Sequence, residues 1–269
     1  MPRKKITIIT PHFAPENTAA SHRMESAART LSASFEVNVF TLTERGKKAR
    51  ATTEQWNDDL KVHYLYLPSY PKNIFLIRAF YEWWYSRKLV KFSNSVKSDL
   101  VLFTSPFMFL LNAVANLSDC KNKVADIRDL VWHYLSEKNF VRRALKRIVT
   151  RKVHSSFAKF NAITVTNLFE KEWLIKNANL DPAKIEVIPN GLSEDKFRFL
   201  QTIRYSKPQK DFVISYIGNI GSAQVFIPLI EAVRNKEGVK LNLIGDGNER
   251  ENIQRYLLEE DVRDRRAHV

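Results

Sequence analysis

The sequence predicts an α/β protein built on a doubly wound, mostly parallel sheet. Three observations predict it: short apolar runs without polar alternation, helical patterns between many of them, and loops rich in Gly, Asn or small residues directly after the strands. The chain has 269 residues, more than one typical α/β domain, so two domains or one domain plus a fragment are expected.

The strands come first. Ile6–Ile9, Val37–Phe40, Val62–Leu67, Leu100–Phe103, Val124–Ala125, Ala162–Val165 and Ile185–Ile188 are apolar enough to be covered on both faces. Between them, Ser21–Ser32 reads as an amphipathic helix with a Ser cap, and a second helix opens at Asn167 or Leu168 and runs to about Asn177. Leu100–Ser118 carries no charge and nears the length of a membrane span, but Ser105-Pro106 interrupts it. It reads as a strand, a loop and a helix from Phe107 to Leu117.

Residues 1–200 thus form the first domain. Lys196–Asp211 is polar and of mixed charge, holds Pro208, and reads as a linker, placed at 201–211 between domains. A second strand-helix series fills 212–269: strand Phe212–Ile217, helix Phe226–Arg234, strand Lys240–Ile244 and helix Glu249–Leu258, then a charged, fraying end from Asp261. Two strands leave edges and a face uncovered, so the second domain is expected to be incomplete.

Composition narrows the partners. A net charge of +14 favours an anionic one. The single cysteine, Cys120, rules out an internal disulfide framework. The run after the basic N-terminus is too short for an export signal. Two stretches concentrate the charge. Ile74–Phe92 interleaves Phe80, Tyr81, Trp83, Trp84 and Tyr85 with Arg78, Arg87, Lys88 and Lys91, and Arg142–Lys159 holds Arg142, Arg143, Lys146, Arg147, Arg151 and Lys152. Aromatic rings favour the membrane interface and cations favour anionic headgroups, so an anionic membrane surface is the expected partner. The bland alternative is a pair of helices with solvated basic faces. Without a recognition-helix, RNP or zinc motif, nucleic acid is not expected.

In open α/β sheets ligands bind beyond the carboxyl ends of the strands, so the post-strand loops are the candidate sites. The loop from Pro11 leads through Ala19 and Ala20, whose small side chains let a ligand approach, to Arg23, a fixed cation. Asn190-Gly191 favours a tight turn with positive φ. Gly218, Asn219, Ile220 and Gly221, and then Gly245, Asp246 and Gly247, follow the two strands of the second domain. Glycines there expose N–H groups to a phosphate. Neither loop is the dinucleotide fingerprint or a Walker loop. Asp126, Asp129 and His133 cluster after a strand, and Asp129 with His133 is the candidate pair for contacting an acceptor hydroxyl or donor sugar, unless Asp129 is only a helix cap. No His/Cys/Asp spacing suggests a metal site.

The ordered set Pro15–Arg23, Thr104-Ser-Pro106, Asp126–Trp132, Ile188–Gly191, Tyr216–Gly221 and Ile244–Gly247 resembles GT-B glycosyltransferases of the family-4 type, closest to the bacterial branch that builds surface polysaccharides such as colanic acid, O-antigen and capsule, with aminosugar-containing units. The resemblance implies two Rossmann-like domains about a cleft, acceptor on the amino-terminal side (Ala19, Ala20, Arg23) and nucleotide sugar on the other (Gly218–Gly221, Gly245–Gly247, Asn190, Gly191). It implies a retaining transfer to a saccharide acceptor, expected to be lipid-linked, with no metal or other cofactor and a nucleotide-diphosphate sugar as donor substrate. The expected location is cytoplasmic, peripheral on the inner face of the plasma membrane.

There are departures. Ser222–Phe226 lacks the Arg and Lys that many relatives place after the glycine loop, and Ala19-Ala20 stands for a Gly-Gly. The family's Glu-x7-Glu element is absent, since Glu251 and Glu259 come too early in the fold. They carry an alternative: a truncated or split, inactive chain that binds acceptor or membrane and needs a partner chain for the donor half.

Overall fold

The computed structural model describes residues 3–43, 51–68, 70, 75–105, 108–135, 137–191, 194–204, 211–221, 224–234 and 236–264. They form two compact units, residues 1–200 and 201–269.

The first unit runs β1 (Lys5–Ile9), α1 (Ala19–Ser32), β2 (Glu36–Thr43), β3 (Ala51–Asn57), β4 (Leu60–Tyr66), α2 (Phe75–Ser93), β5 (Leu100–Thr104), α3 (Met108–Ala115), β6 (Asn122–Ile127), α4 (Phe140–Phe157), β7 (Ala162–Val165), α5 (Leu168–Ala178), β8 (Ile185–Val187) and α6 (Glu194–Thr202). The eight strands make one sheet in the order β3-β4-β2-β1-β5-β6-β7-β8, parallel except where β3 pairs antiparallel with β4. The α/β, doubly wound expectation therefore holds.

Apolar runs become strands here because both faces are covered. Ile8 and Ile9 point to opposite faces of β1 and both are fully buried, each contributing about 1.5–3 kcal/mol of burial. Ile8 joins the core under α1 with Met24, Val37, Val39 and Val62. Ile9 joins the larger core of the other face, where Tyr85 and Leu89 of α2, Leu110 of α3, Phe157 of α4 and Leu174 of α5 pack.

Local chemistry sets the ends of the helices. α1 starts earlier than Ser21, because Thr18 is its cap and accepts from the Ser21 N–H. Asn139 and Asn167 cap α4 and α5 in the same way, and Asn179, at φ 52°, ends α5 in the left-handed conformation. Lys123 closes α3 from below: its buried ammonium donates to the carbonyls of Ala115 (3.1 Å) and Leu117 (2.5 Å). Burial pulls this lysine below its ordinary pKa.

Two elements depart from the sequence reading. β3 is polar and mostly exposed, so no apolar pattern announces it. α6 occupies the start of the stretch read as a linker; none of its residues is buried, so its helix is not selected by a core. Residues 205–210 of that stretch lie outside the described residues, as do Pro106 and Phe107 of the expected strand-to-helix break, Ile74 and the terminal residues 265–269. α8 runs on to Asp264, beyond the expected Leu258. Among the described residues no helix is long and apolar enough to cross a membrane.

The second unit runs β9 (Phe212–Ile217), α7 (Phe226–Arg234), β10 (Val239–Ile244) and α8 (Arg250–Asp264). β9 and β10 pair in parallel, with Ile214 beside Leu241 and Tyr216 beside Leu243. Ile220, Phe226, Ile230 and Ile253 pack with Tyr216, Leu241 and Leu243 to form the small core. Ile217 and Ile244, one register pair on, are 76% and 51% exposed.

Candidate functional site

Because β1, β5, β6, β7 and β8 are parallel, their carboxyl ends share one edge of the first sheet. At that edge Thr104, Asp126 and Thr164 stand in register on β5, β6 and β7. A buried carboxylate demands partners, and Asp126 has four. Its Oδ2 accepts from Arg23 Nε (3.1 Å) and Thr104 Oγ1 (3.1 Å). Its Oδ1 accepts from Arg23 Nη2 (2.7 Å) and Thr164 Oγ1 (2.7 Å). The Arg23 fork is thus bidentate and mostly buried. Its remaining Nη1 donates to the Pro189 carbonyl (2.9 Å).

Arg128 adds a second guanidinium. Its Nη1 donates to the Ala19 carbonyl and its Nη2 to Asn190 Oδ1, both at 3.2 Å, while its backbone N–H donates to Ser105 Oγ. Desolvation lowers the Arg128 pKa; Asp126 acts against this and Arg23 with it. The two guanidiniums are set against the buried Asp126, and Arg128 also feels Asp129 and Glu170.

Of the residues singled out by sequence, Ala19, Arg23 and Asn190 are joined by this network. Ala20 follows Ala19 at the start of α1 and is half-buried. Asn190 and Gly191 are exposed, neither adopts the positive φ expected of them, and space is open around Gly191. Arg23 is a brace between helix and loops, its charge matched by Asp126. Asp126 itself belongs to the brace rather than to Asp129 and His133.

Asp129 and His133 sit in the loop after β6, which is anchored by the buried Leu130 and Trp132. Both are exposed, no hydrogen bond joins them, and Asp129 is not a helix cap, since the next helix is capped by Asn139. Desolvation raises the Asp129 carboxyl above its ordinary range, with Arg128 opposing. The His133 ring lies edge-on to Trp173, centroids 5.0 Å apart. On α1, His22 accepts at Nδ1 from Lys196 Nζ (2.7 Å) and bonds Asn17 through Nε2 (2.6 Å), tying α6 to α1.

In the second unit the two glycine loops run side by side beyond their strands. The Gly218 N–H donates to the Ile244 carbonyl (3.0 Å) and the Ile220 N–H to the Asp246 carbonyl (2.8 Å). The approach is so close that a Cβ at Gly245 would lie 1.8 Å from the Gly218 carbonyl oxygen, and one at Gly247 2.1 Å from that of Ile220. These glycines thus serve the packing of backbone on backbone. The N–H groups of Asn219 and Gly221 have no partner among the described residues and remain as donors. Of the cation-free stretch after this loop, Ser222 and Ala223 lie outside the described residues. Glu251 and Glu259 both fall on α8.

Sequence reasoning gave Arg128 and Thr104 no role of their own, though both stand in quoted motifs, and missed Thr164. The signal was present: a carboxylate inside an apolar strand requires donors, and Arg128 is the next cation along. Among the described residues no three His, Cys, Asp or Glu side chains are placed to share a metal ion.

A family profile described as glycosyltransferase family 4 matches residues 20–196. Among solved structures, sucrose-phosphate synthase from Thermosynechococcus elongatus aligns at 14% identity with a TM-score of 0.67, over 98% of this chain and 69% of that one. A trehalose-6-phosphate structure from E. coli bound with UDP-2-fluoro glucose aligns at 10% identity and TM-score 0.64, over 96% and 69%. An alpha,alpha-trehalose-phosphate synthase (UDP-forming) from Burkholderia vietnamiensis aligns at 9% and 0.58, over 98% and 67%. At such identities the likeness is one of fold. No curated protein sequence matches significantly.

Proposed function

This chain belongs to glycosyltransferase family 4, and from that premise we propose that it moves a sugar from a nucleotide-diphosphate sugar to a lipid-linked saccharide acceptor in the synthesis of a cell-surface polysaccharide. The transfer retains anomeric configuration and uses no divalent metal. One observation carries the donor half: the unpartnered N–H groups of Asn219 and Gly221, held by two interlocked glycine loops, are the donors a diphosphate accepts.

The first unit supports the acceptor half. The Arg23–Asp126–Arg128 network ties the start of α1 to Pro189 and Asn190 and sets two guanidiniums beside them. Asp129 and His133 are exposed on the adjoining loop and are assigned to the acceptor hydroxyl. α4 carries six Lys and Arg residues and no acid, which fits a peripheral seat on the anionic inner face of the plasma membrane.

The test is release of nucleoside diphosphate by the purified chain from a panel of nucleotide sugars, with a lipid-linked oligosaccharide as acceptor, with and without a chelator. Turnover only when chelator is absent removes the metal-free mechanism. No turnover from any donor removes autonomous transfer. That last outcome favours a second reading, a chain that binds acceptor or membrane and relies on a partner chain for donor binding. The exposed Ile217 and Ile244 on β9 and β10 give it support.

A further inference from the structure

α2, α3 and α4 lie side by side on one face of the first sheet, and α3 is much the shortest. The outer face of α3 therefore forms the floor of a groove of about 520 Å³ walled by the two long helices. The walls are not uniform. On α2, Trp83 and Arg87 fall within about 60° of one another around the helix, as do Val149 and Lys152 on α4, and all four line the groove.

Both long helices link successive parallel strands, so both run from the carboxyl edge of the sheet to its amino edge. Trp83, Phe109 and Val149 therefore lie towards one end of the groove, and Arg87, Lys91 and Lys152 towards the other, beside Val90 and Val153. All three cations are exposed, and none is paired with a carboxylate among the described residues. Arg87 lies over the Trp83 ring, 4.5 Å from its centroid, where the two polarities meet. On the floor, Asn112 and Asn116 are held by Ser156 and Lys159.

An apolar trough ending in unpaired positive charge complements a molecule with a tail and an anionic head. We propose that this groove seats one anionic phospholipid of the bilayer, its phosphate between Arg87, Lys91 and Lys152 and its acyl chain along Trp83, Phe109 and Val149. The proposal rests on the membrane reading above and sharpens it from a charged surface to a built site for a single lipid.

The experiment titrates the full chain with dihexanoyl phosphatidylglycerol below its micelle concentration by calorimetry, beside flotation with phosphatidylglycerol vesicles. Arg87→Ala/Lys152→Ala removes two of the three cations at the basic end of the groove. Arg143→Ala/Arg147→Ala removes the same charge from the opposite side of α4. The wild type binds the monomeric lipid, the groove pair weakens binding on the order of 30-fold, and the outer pair changes it little. Equal weakening in both pairs overturns the groove, leaving diffuse attraction. So does flotation without binding of monomeric lipid, which leaves the membrane reading standing. Failure of both arms takes down the membrane reading and the groove with it.

Discussion

Replacing Asp126 by Asn keeps the size of the side chain and removes its charge, leaving Arg23 folded against a neutral amide. The pair is buried, with side-chain exposures of 10% for Arg23 and 3% for Asp126. Exposed ion pairs are worth about 0–1 kcal/mol, whereas stripping one partner from a buried pair costs about 3–5 kcal/mol. The geometry places this site in the second class, because both carboxylate oxygens are doubly bonded and an amide NH2 would face the guanidinium or a threonine hydroxyl. Arg128 makes matters worse, since Asp126 is the buried carboxylate that offsets both arginines. A loss of about 3–4 kcal/mol is expected in urea unfolding of the first unit, a large part of a typical domain's stability of roughly 5–15 kcal/mol. The double variant Arg23→Met/Asp126→Asn should lose less than the two single losses added, with a coupling of about 2 kcal/mol or more. A cost below about 1 kcal/mol for Asp126→Asn, the value of an exposed pair, refutes the reasoning.

Three further outcomes follow from other parts of the molecule. Gly245→Ala drives a methyl group into the Gly218 carbonyl, so the second unit should lose about 1–3 kcal/mol and its α7 and α8 amides should exchange faster with solvent. His63 and His154 have pKa values lowered by burial, His63 further by Lys61. The native state then binds fewer protons than the unfolded one between those values and 6.5, so stability is lost as pH falls through 6.5. The urea midpoint should drop between pH 7 and 5, and less so in His63→Gln/His154→Gln. If Asp129 works as the acceptor's base, the acid limb of the turnover profile lies above 3.8, because desolvation raises this carboxyl, and Asp129→Asn abolishes that limb.

How much could be read from the sequence followed from what each element is selected by. β1, β5 and β7 are covered by core, so their apolar runs marked them within a residue. β3 and α6 have solvent on nearly every side and carry no such mark. The same division holds in the site. The post-strand loops were legible because chain order places them at one sheet edge. The Arg23–Asp126 pair was not, since its members stand 103 positions apart and only the register of β5, β6 and β7 shows where the carboxylate must look for donors. Gly245 and Gly247 were found for their type, and the close approach of backbone to backbone that they permit was not foreseen. A glycine's need for space does not say whether a ligand or another backbone fills it.

The antiparallel strand β3 has a consequence of its own. Beyond β2 the sheet would otherwise finish on β4, whose Leu60, Val62 and Tyr64 are buried. A bare rim of that kind is a template for another copy to dock onto and extend. β3 occupies the rim and is itself unattractive to a newcomer: it is polar, carries Glu54, and breaks its pairing rhythm between Gln55 and Asn57. The strand with the least to bury thus acts as the selvedge of the sheet, keeping a strongly apolar weave from being continued by its neighbours in a crowded cell.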